Sequence, residues 1–133
     1  MKSFSLSSNE RIKSKKDFED IFKHGNILFS FNKKVKASFI YIKEADDPGV
    51  KIAPAVSKRA GNAVWRNRIK RLIREAYRLN KTGLVSYCKS NHISLKIVFS
   101  LNYISKKTAP NLGLIDLTDS VKDLLNKVEK KLC

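Results

Sequence analysis

The chain has 133 residues, 42% hydrophobic and 30% charged, proportions that fit a folded soluble protein and exclude a disordered one. Its 28 Lys and Arg against 12 Asp and Glu give a net charge of +16, which predicts a polyanionic partner, nucleic acid first and an anionic membrane surface second. No apolar run approaches the roughly 20 residues of a membrane helix, and the N-terminus lacks a signal-peptide core. We therefore expect a cytoplasmic protein with one domain, residues 1–133.

The first predicted element is a helix that begins after Ser14, a candidate N-cap, and ends at Gly25. Phe18, Ile21 and Phe22 stand at i, i+3 and i+4, a spacing typical of core packing. Lysines border this narrow stripe, and aromatic rings beside cations also suit stacking on unpaired bases. The pattern leaves both interpretations open.

Strand patterns follow this helix. Residues 27–42 are predicted as strand, most clearly in VKASFIYIK, where both alternating sets contain apolar residues and both faces are expected to be covered. An acidic turn around Asp46 leads to a returning strand over residues 50–57. Pro54 has no N–H to donate to a sheet, which predicts an edge strand or a bulge.

The most distinctive stretch is AVSKRAGNAVWRNRIKRLIREAYR, residues 55–78. Asn62 is a candidate N-cap for a helix that should run to about residues 79–81. On a helical wheel the cations and Asn67 share an arc of roughly 140°, and the apolar residues share an arc of roughly 100° on the other side. The apolar arc predicts a core-facing stripe of Trp65, Ile69, Leu72, Ile73 and Ala76. The cationic arc contains Arg66, Asn67, Lys70, Arg71, Arg74 and Arg78.

The cationic arc differs from an ordinary solvated helix face, which mixes Glu with Lys four residues apart. Arginine dominates the arc, and its planar guanidinium suits bidentate contact with phosphate. Asn67 is a poor helix former in mid-helix, so we expect its amide to act on that surface. Because such like-charge repulsion is unfavourable without a partner, the pattern favours polyanion binding.

The C-terminal part adds a strand and a helix. Residues 87–93 have no clear pattern, and the alternation of apolar residues over 95–101 predicts a strand. A helix from about Thr118 to Leu132 follows, in which Asp119 and Asp123 are interpreted as helix-start charges. Its apolar stripe consists of Leu117, Val121, Leu124, Leu125, Val128 and Leu132. The element order predicts an α/β sandwich with one mixed sheet, in which ordinary chirality makes a parallel crossover right-handed.

No catalytic constellation is found in the sequence. Neither His24 nor His92 has a neighbouring Asp or Glu at a spacing typical of a general base or a metal site. Cys88 and Cys133 belong to no C-x-x-C or Cys/His cluster and are expected to be reduced thiols. We therefore expect no catalytic residue, no metal site and no cofactor bound by the polypeptide itself.

The stretch SKRAGNAVWRNRIKRLIREAYR resembles the signature of the bacterial ribonuclease P protein family, whose hallmark is an Arg-Asn-Arg helix. RIKSKKDFEDIFKHG resembles the first helix of that family, and LKIVFSLNYISKK resembles the strand after the basic helix. The matches cover about half of the chain in the family's order. Residues 32–36 and the pair Pro54-Ala55 depart from the family pattern.

The resemblance implies an αβββαβα sandwich whose crossover through the Arg-Asn-Arg helix is left-handed. It implies a subunit of an endoribonuclease in which the RNA subunit is the catalyst and removes the 5′ leader of precursor tRNA with magnesium ions. The protein's partners would be that catalytic RNA and precursor tRNA, with no membrane and no obligatory protein partner. Magnesium would be held through the RNA.

The resemblance also assigns residues. The surface facing the catalytic RNA would consist of Lys58, Arg59, Asn62, Arg66, Asn67, Arg68, Lys70, Arg71 and Arg74. The leader cleft would contain Phe18 and Phe22, half-exposed to leader bases, with Phe39 or Tyr41 from the sheet and with Arg11 and Lys15 beside the leader path. The alternatives are a stand-alone RNA- or ribosome-binding protein, an anionic-membrane binder and a protein-only nuclease.

Overall fold

One four-stranded sheet organises the residues that the computed structural model describes, 8–102 and 104–133. The helices among them are α1 (Lys15–His24), α2 (Ala63–Asn80), α3 (Thr82–Ser90) and α4 (Leu114–Leu132). The strands are β1 (Asn26–Phe29), β2 (Val35–Ile42), β3 (Gly49–Ala55) and β4 (Ser94–Leu101). Short 3₁₀ turns occupy Ser8–Glu10 and Lys58–Ala60.

The sheet has the order β1-β2-β4-β3. β1 and β4 each pair with β2 antiparallel, and β3 pairs with β4 parallel, so the predicted mixed sheet is confirmed. β3 does not return beside β2, because β4 lies between them. Pro54 belongs to a strand at the edge of this sheet, as its missing N–H predicts. The chain passes from β3 to β4 through α2 and α3, and the left-handed sense of that crossover stays a prediction.

The helix α3 was absent from the predicted element order. It follows α2 with Lys81 alone between them and includes part of the segment that lacked a clear pattern. Only Leu84 and Cys88 are fully buried on it, so one i, i+4 pair carries its apolar face. A single pair of apolar residues is too little periodicity to predict a helix from the sequence.

The predicted helix starts are confirmed by their caps. The Ser14 hydroxyl accepts from the Asp17 N–H at 3.4 Å, and the Asn62 amide oxygen accepts from the Trp65 N–H at 2.9 Å. Gly25 ends α1 where a Cβ would come within 2.3 Å of the Ile21 carbonyl oxygen. These local hydrogen bonds set where α1 and α2 begin.

α4 begins earlier than predicted. Its first residue is Leu114, and the Asp116 carboxylate accepts from the Gly113 N–H at 3.0 Å. Asp116 is therefore the first-turn acid, which suits the positive end of the helix dipole. Asp123 was predicted as a helix-start charge, but it lies inside α4, where its carboxylate accepts a hydrogen bond from the Phe31 N–H at 2.8 Å.

The main core lies between one face of the sheet and α2, α3 and α4. The predicted stripe of α2 is confirmed: Trp65, Ile69, Ile73 and Ala76 are buried, and Leu72 packs against them half-buried. All six residues of the predicted α4 stripe are buried as well. The described helices include none with the length and apolarity to span a bilayer.

The other face of the sheet is covered only in part. Here α1 packs over a small cluster of Ile12, Ile21, Ala53 and Val98, with Phe18, Ile40 and Ala55 at its margin. The Asp17 carboxylate of α1 also forms an ion pair with Lys96 of β4 at 3.0 Å. The part of this face that α1 leaves uncovered forms the floor of a groove.

Candidate nucleic-acid interface

An open groove of about 1230 Å³ lies beside α1 on the partly covered face of the sheet. Lys36 and Ser38 of β2 and Ser100 of β4 belong to its floor. The register places Ile27 opposite Ser38 and Phe29 opposite Lys36, so these β1 side chains share the same face. The floor thus mixes apolar, hydroxyl and cationic groups.

The groove has cations on two sides. Arg59 of the 3₁₀ turn and Lys70 of α2 line it beyond the end of β3. Lys33, in the turn between β1 and β2, lines it beside the opposite edge of the sheet. Phe22 lines it from α1. Exposed apolar side chains flanked by cations are the groups that single-stranded nucleic acid requires, rings for bases and cations for phosphates.

The two phenylalanines of α1 differ in burial, and each fits a different one of the two interpretations that the sequence left open, core packing or base stacking. Their rings stack with centroids 6.5 Å apart and planes 25° apart. Phe18 is half-buried against the small cluster, whereas Phe22 is 59% exposed and lines the groove. Phe18 therefore packs, and it supports a ring that a base can reach.

The placement of Phe39 and Tyr41 in the same cleft was wrong. Phe39 is completely buried in the main core, and Tyr41 packs half-buried against that core. Side chains alternate along β2, and the residues on the α1 side are the intervening ones, Lys36, Ser38 and Ile40. Phe39 and Tyr41 thus lie on the opposite face of the sheet from Phe22.

Arg11 and Lys15 are also absent from the described lining of the groove. Arg11 forms a bridge with Ile52 on the outer side of β3 and lies close enough to Arg74 to contribute to the lowered pKa of that guanidinium. Lys15 is exposed at the first residue of α1. Arg11 therefore lies near Arg74 of α2, and Lys15 lies at the N-terminal end of α1.

Sequence reasoning missed most of the groove lining, including Ile27, Phe29, Lys33, Lys36 and Ser38. A signal was present in β2, whose two alternating sets differ in polarity at Lys36 and Ser38. In a sheet with one open face, the polar set belongs on that face. The expectation that both faces of this strand were covered concealed the signal.

The predicted basic residues occupy the side of α2 away from the core, together with the turn before it. We call this set the basic surface: Lys58, Arg59, Asn62, Arg66, Asn67, Arg68, Lys70, Arg71 and Arg74. Its members are exposed or half-buried, while the buried stripe of α2 faces the sheet. Because Arg59 and Lys70 also line the groove, the basic surface and the groove are continuous.

The cations of the basic surface have no acidic partner among the residues that the structure describes. Burial, and then the nearby Arg11 guanidinium, lowers the pKa of Arg74, although an arginine remains charged. The Nε atoms of Arg11 and Arg66 are buried without a hydrogen-bond partner. Arg78, outside the set, instead hydrogen-bonds Glu75 and so lowers the pKa of that carboxyl. The basic surface thus presents positive charge that the chain does not neutralise.

Close packing holds the turn before α2 in place. A Cβ on Gly61 would come within 2.8 Å of the Trp65 ring and 3.0 Å of Lys106 Cβ, so only glycine fits there without a shift. The Lys106 N–H donates to the Ala60 carbonyl at 2.6 Å, which joins the loop after β4 to the same turn. Gly61 therefore allows the turn that carries Arg59 to pack closely against Trp65 and the loop after β4.

The described part of the chain contains no group of three or more His, Cys, Asp or Glu residues that could hold a metal ion. Cys88 is buried, and burial raises the pKa of its thiol to about 11. A neutral buried thiol is a packing group, since the thiolate is the reactive form.

Comparison with known sequences identifies a family. The family model described as Ribonuclease P matches residues 6–129. The ribonuclease P protein component of Syntrophus aciditrophicus (strain SB) is 38% identical over 102 residues, which cover 72% of this chain and 82% of that protein. The corresponding component of Clostridium kluyveri is 32% identical over 119 residues, 88% of this chain and 92% of that protein.

Solved structures share the fold. The RNase P protein of Staphylococcus aureus aligns with a TM-score of 0.65 at 24% identity, over 90% of this chain and 94% of that one. The RNase P protein of Thermotoga maritima aligns with a TM-score of 0.64 at 24% identity, over 91% of this chain and 96% of that one. By sequence and by fold, the chain belongs to the ribonuclease P protein family.

Proposed function

We propose that the protein is the RNA-binding subunit of a ribonuclease P whose RNA subunit is the catalyst. The basic surface binds that RNA, and the groove binds the single-stranded 5′ leader of precursor tRNA. The observation that carries the proposal is the continuity of the two sites: Arg59 and Lys70 belong to both. Precursor tRNA that is bound to the catalytic RNA on α2 can therefore pass its leader directly into the groove.

Charge neutralisation is the contribution of the basic surface. Each cation that meets a phosphate adds roughly 0.7–0.9 to the slope of log affinity against log salt. Arg66 and Arg74 are half-buried, so their guanidinium groups are restrained before the RNA arrives. Arg11, close to Arg74, extends this surface towards the outer edge of β3.

The groove supplies the leader contacts. Phe22, Ile27 and Phe29 offer exposed apolar area to bases, and Lys36 offers charge to the backbone. Phe18 acts through its stacking on Phe22. Lys15 is the outermost proposed contact, at the first residue of α1. These residues take the place in the leader site that the sequence had assigned to Phe39 and Tyr41.

Bond cleavage is assigned to the RNA subunit, with magnesium ions held by that RNA. The protein then raises the affinity of the complex for RNA and for leader-bearing precursor and contributes no catalytic group. This division favours a ribozyme subunit over a stand-alone RNA-binding protein, because the groove adjoins the docking surface and gives it a substrate site.

Reconstitution tests the proposal. The protein is mixed with a ribonuclease P RNA at a magnesium concentration too low for that RNA alone, and removal of the leader from precursor tRNA is followed. We expect cleavage to be restored. RNA binding without restored cleavage would support the stand-alone binding protein, and cleavage by protein without the RNA subunit would support a protein-only nuclease.

Single substitutions test the docking surface. Arg66→Ala or Arg68→Ala should weaken assembly with the catalytic RNA and reduce the salt slope by roughly 0.7–0.9, the value for one phosphate contact. Lys130→Ala is the matched control, since it removes one exposed charge from α4. If Lys130→Ala weakened assembly as much as Arg66→Ala, net charge rather than the basic surface would carry the binding.

A further inference from the structure

We infer that Lys106 and Lys107, in the loop after β4, form a second docking point for the catalytic RNA beside the basic surface. The inference rests on the proposed function, in which the basic surface binds that RNA. It extends the docking surface from α2 and its preceding turn to a segment that is distant in the sequence. The groups that this segment recognises are backbone phosphates of the folded RNA.

The loop after β4 is joined to the turn before α2. The Lys106 N–H donates to the Ala60 carbonyl at 2.6 Å, and Lys106 Cβ lies 3.0 Å from the position that a Cβ on Gly61 would occupy. Ala60 directly follows Lys58 and Arg59, which belong to the basic surface. The two pairs of cations therefore lie on segments that are in direct contact.

Internal hydrogen bonds close the loop into a turn that has both lysines between its ends. The Ser105 N–H donates to the Thr108 hydroxyl oxygen at 3.0 Å, and the Ala109 N–H donates to the Ser105 carbonyl at 2.8 Å. Ile104 and Ala109 pack half-buried against the main core. The backbone of the two lysines is thus restrained before RNA binds, which lowers the ordering cost of binding.

The two loop lysines carry charge that the chain does not neutralise. Lys106 and Lys107 are exposed, and neither has an acidic partner among the residues that the structure describes. Residues 48–115 contain a single acid, Glu75, and it pairs with Arg78. The loop and the adjoining turn therefore place like charges side by side, which is unfavourable until a polyanion lies across both.

The position of the lysines favours the catalytic RNA over the leader. Ile104 and Ser105 line the groove, whereas Lys106 and Lys107 are absent from its described lining. A single strand in the groove uses exposed rings for its bases, and the loop lysines offer charge alone. Charge without rings suits the backbone of a folded RNA, whose helices are recognised through phosphates and shape.

A double substitution tests the inference. Binding of the protein to the catalytic RNA, without tRNA, is measured over a series of salt concentrations. Lys106→Ala combined with Lys107→Ala should reduce the salt slope by roughly 1.4–1.8, twice the value of 0.7–0.9 for one phosphate contact. Alanine keeps the Cβ and the backbone N–H of residue 106, so the contacts with Gly61 and Ala60 remain. The preference of the holoenzyme for leader-bearing precursor over mature tRNA should not change.

Lys130→Ala combined with Lys131→Ala is the matched control, because it removes two adjacent exposed lysines from the end of α4. The control should keep the slope of the unmodified protein, and so should Lys106→Arg combined with Lys107→Arg. An unchanged slope in the alanine variant of the loop, or an equal loss in the control, would overturn the inference. A loss confined to leader-bearing precursor would assign the loop to the groove and would overturn it as well.

The same titrations separate this inference from the proposed function. If the unmodified protein does not bind the catalytic RNA, or binds it without restoring cleavage, the proposed function fails and the inference fails with it. If the unmodified protein binds and restores cleavage, and Arg66→Ala weakens binding while the alanine variant of the loop does not, only the inference fails.

Discussion

The two faces of the sheet have different roles, one in the core and one in the groove. On one face α2, α3 and α4 cover most of the strands, and Val35, Ala37 and Phe39 of β2 have no exposed surface. On the other face α1 buries one residue of its own, Ile21, and leaves Ile27 and Phe29 of β1 about half exposed, at 56% and 43%. The same strands therefore supply stability on one side and a binding floor on the other.

The comparison shows why the open face can bind RNA without loss of the fold. Most of the buried apolar area lies in the main core, so the groove can hold lysines, hydroxyls and exposed rings at little cost to folding. It also shows that a single-residue alternation separates the two roles. Ser38 lines the groove, and its neighbour Phe39 lies in the core.

The largest expected effect comes from Phe39→Ala. It should lower the free energy of unfolding by about 3–5 kcal/mol, because it removes a fully buried ring and leaves a cavity. Urea denaturation measures this, in buffer with sulfate because a strongly cationic chain gains stability from bound anions. If Phe39→Ala instead kept near-normal stability and weakened leader binding, Phe39 would belong to the groove. That result would contradict its assignment to the core face of β2.

Phe22→Ala is the counterpart on the open face. We expect it to weaken binding of leader-bearing precursor by about 1–3 kcal/mol, the usual value of one aromatic–base stack, with little loss of stability because the ring is mostly exposed. Affinities of the holoenzyme for precursor and for mature tRNA measure this. Ile115→Ala, which truncates an exposed residue of α4, is the control. Equal losses for precursor and mature tRNA would remove Phe22 from the leader site.

The smallest effect tests the anchor of α1. The Asp17–Lys96 pair is about a quarter exposed on each side, so Lys96→Met and Asp17→Asn should each cost stability, with a coupling energy of about 0.2–1 kcal/mol in a double-mutant cycle. The pair holds α1 on the sheet, and loss of it should weaken leader binding more than binding of the catalytic RNA. Strictly additive effects in the cycle would show that the pair contributes nothing to the position of α1.

Much of α2 and α4 was predictable because helix faces follow from residues three and four apart. The stripe from Trp65 to Ala76 and the caps Ser14 and Asn62 depend on neighbours within one or two turns, and the structure confirms them. The stripe omitted Tyr77, which is also buried. The basic surface was likewise visible as a cationic arc opposite an apolar one.

By itself, the sequence determined the basic helix, the apolar stripes, the mixed α/β class and the family. Only the tertiary structure decided which face of β2 is covered, that β4 separates β2 from β3, and that Arg59 meets Lys70 at a groove. Both alternating sets of β2 contain apolar residues, so the choice between Phe39 and Ser38 depends on which helices pack against which face. Those helices are distant in sequence, and local periodicity carries no information about where they dock.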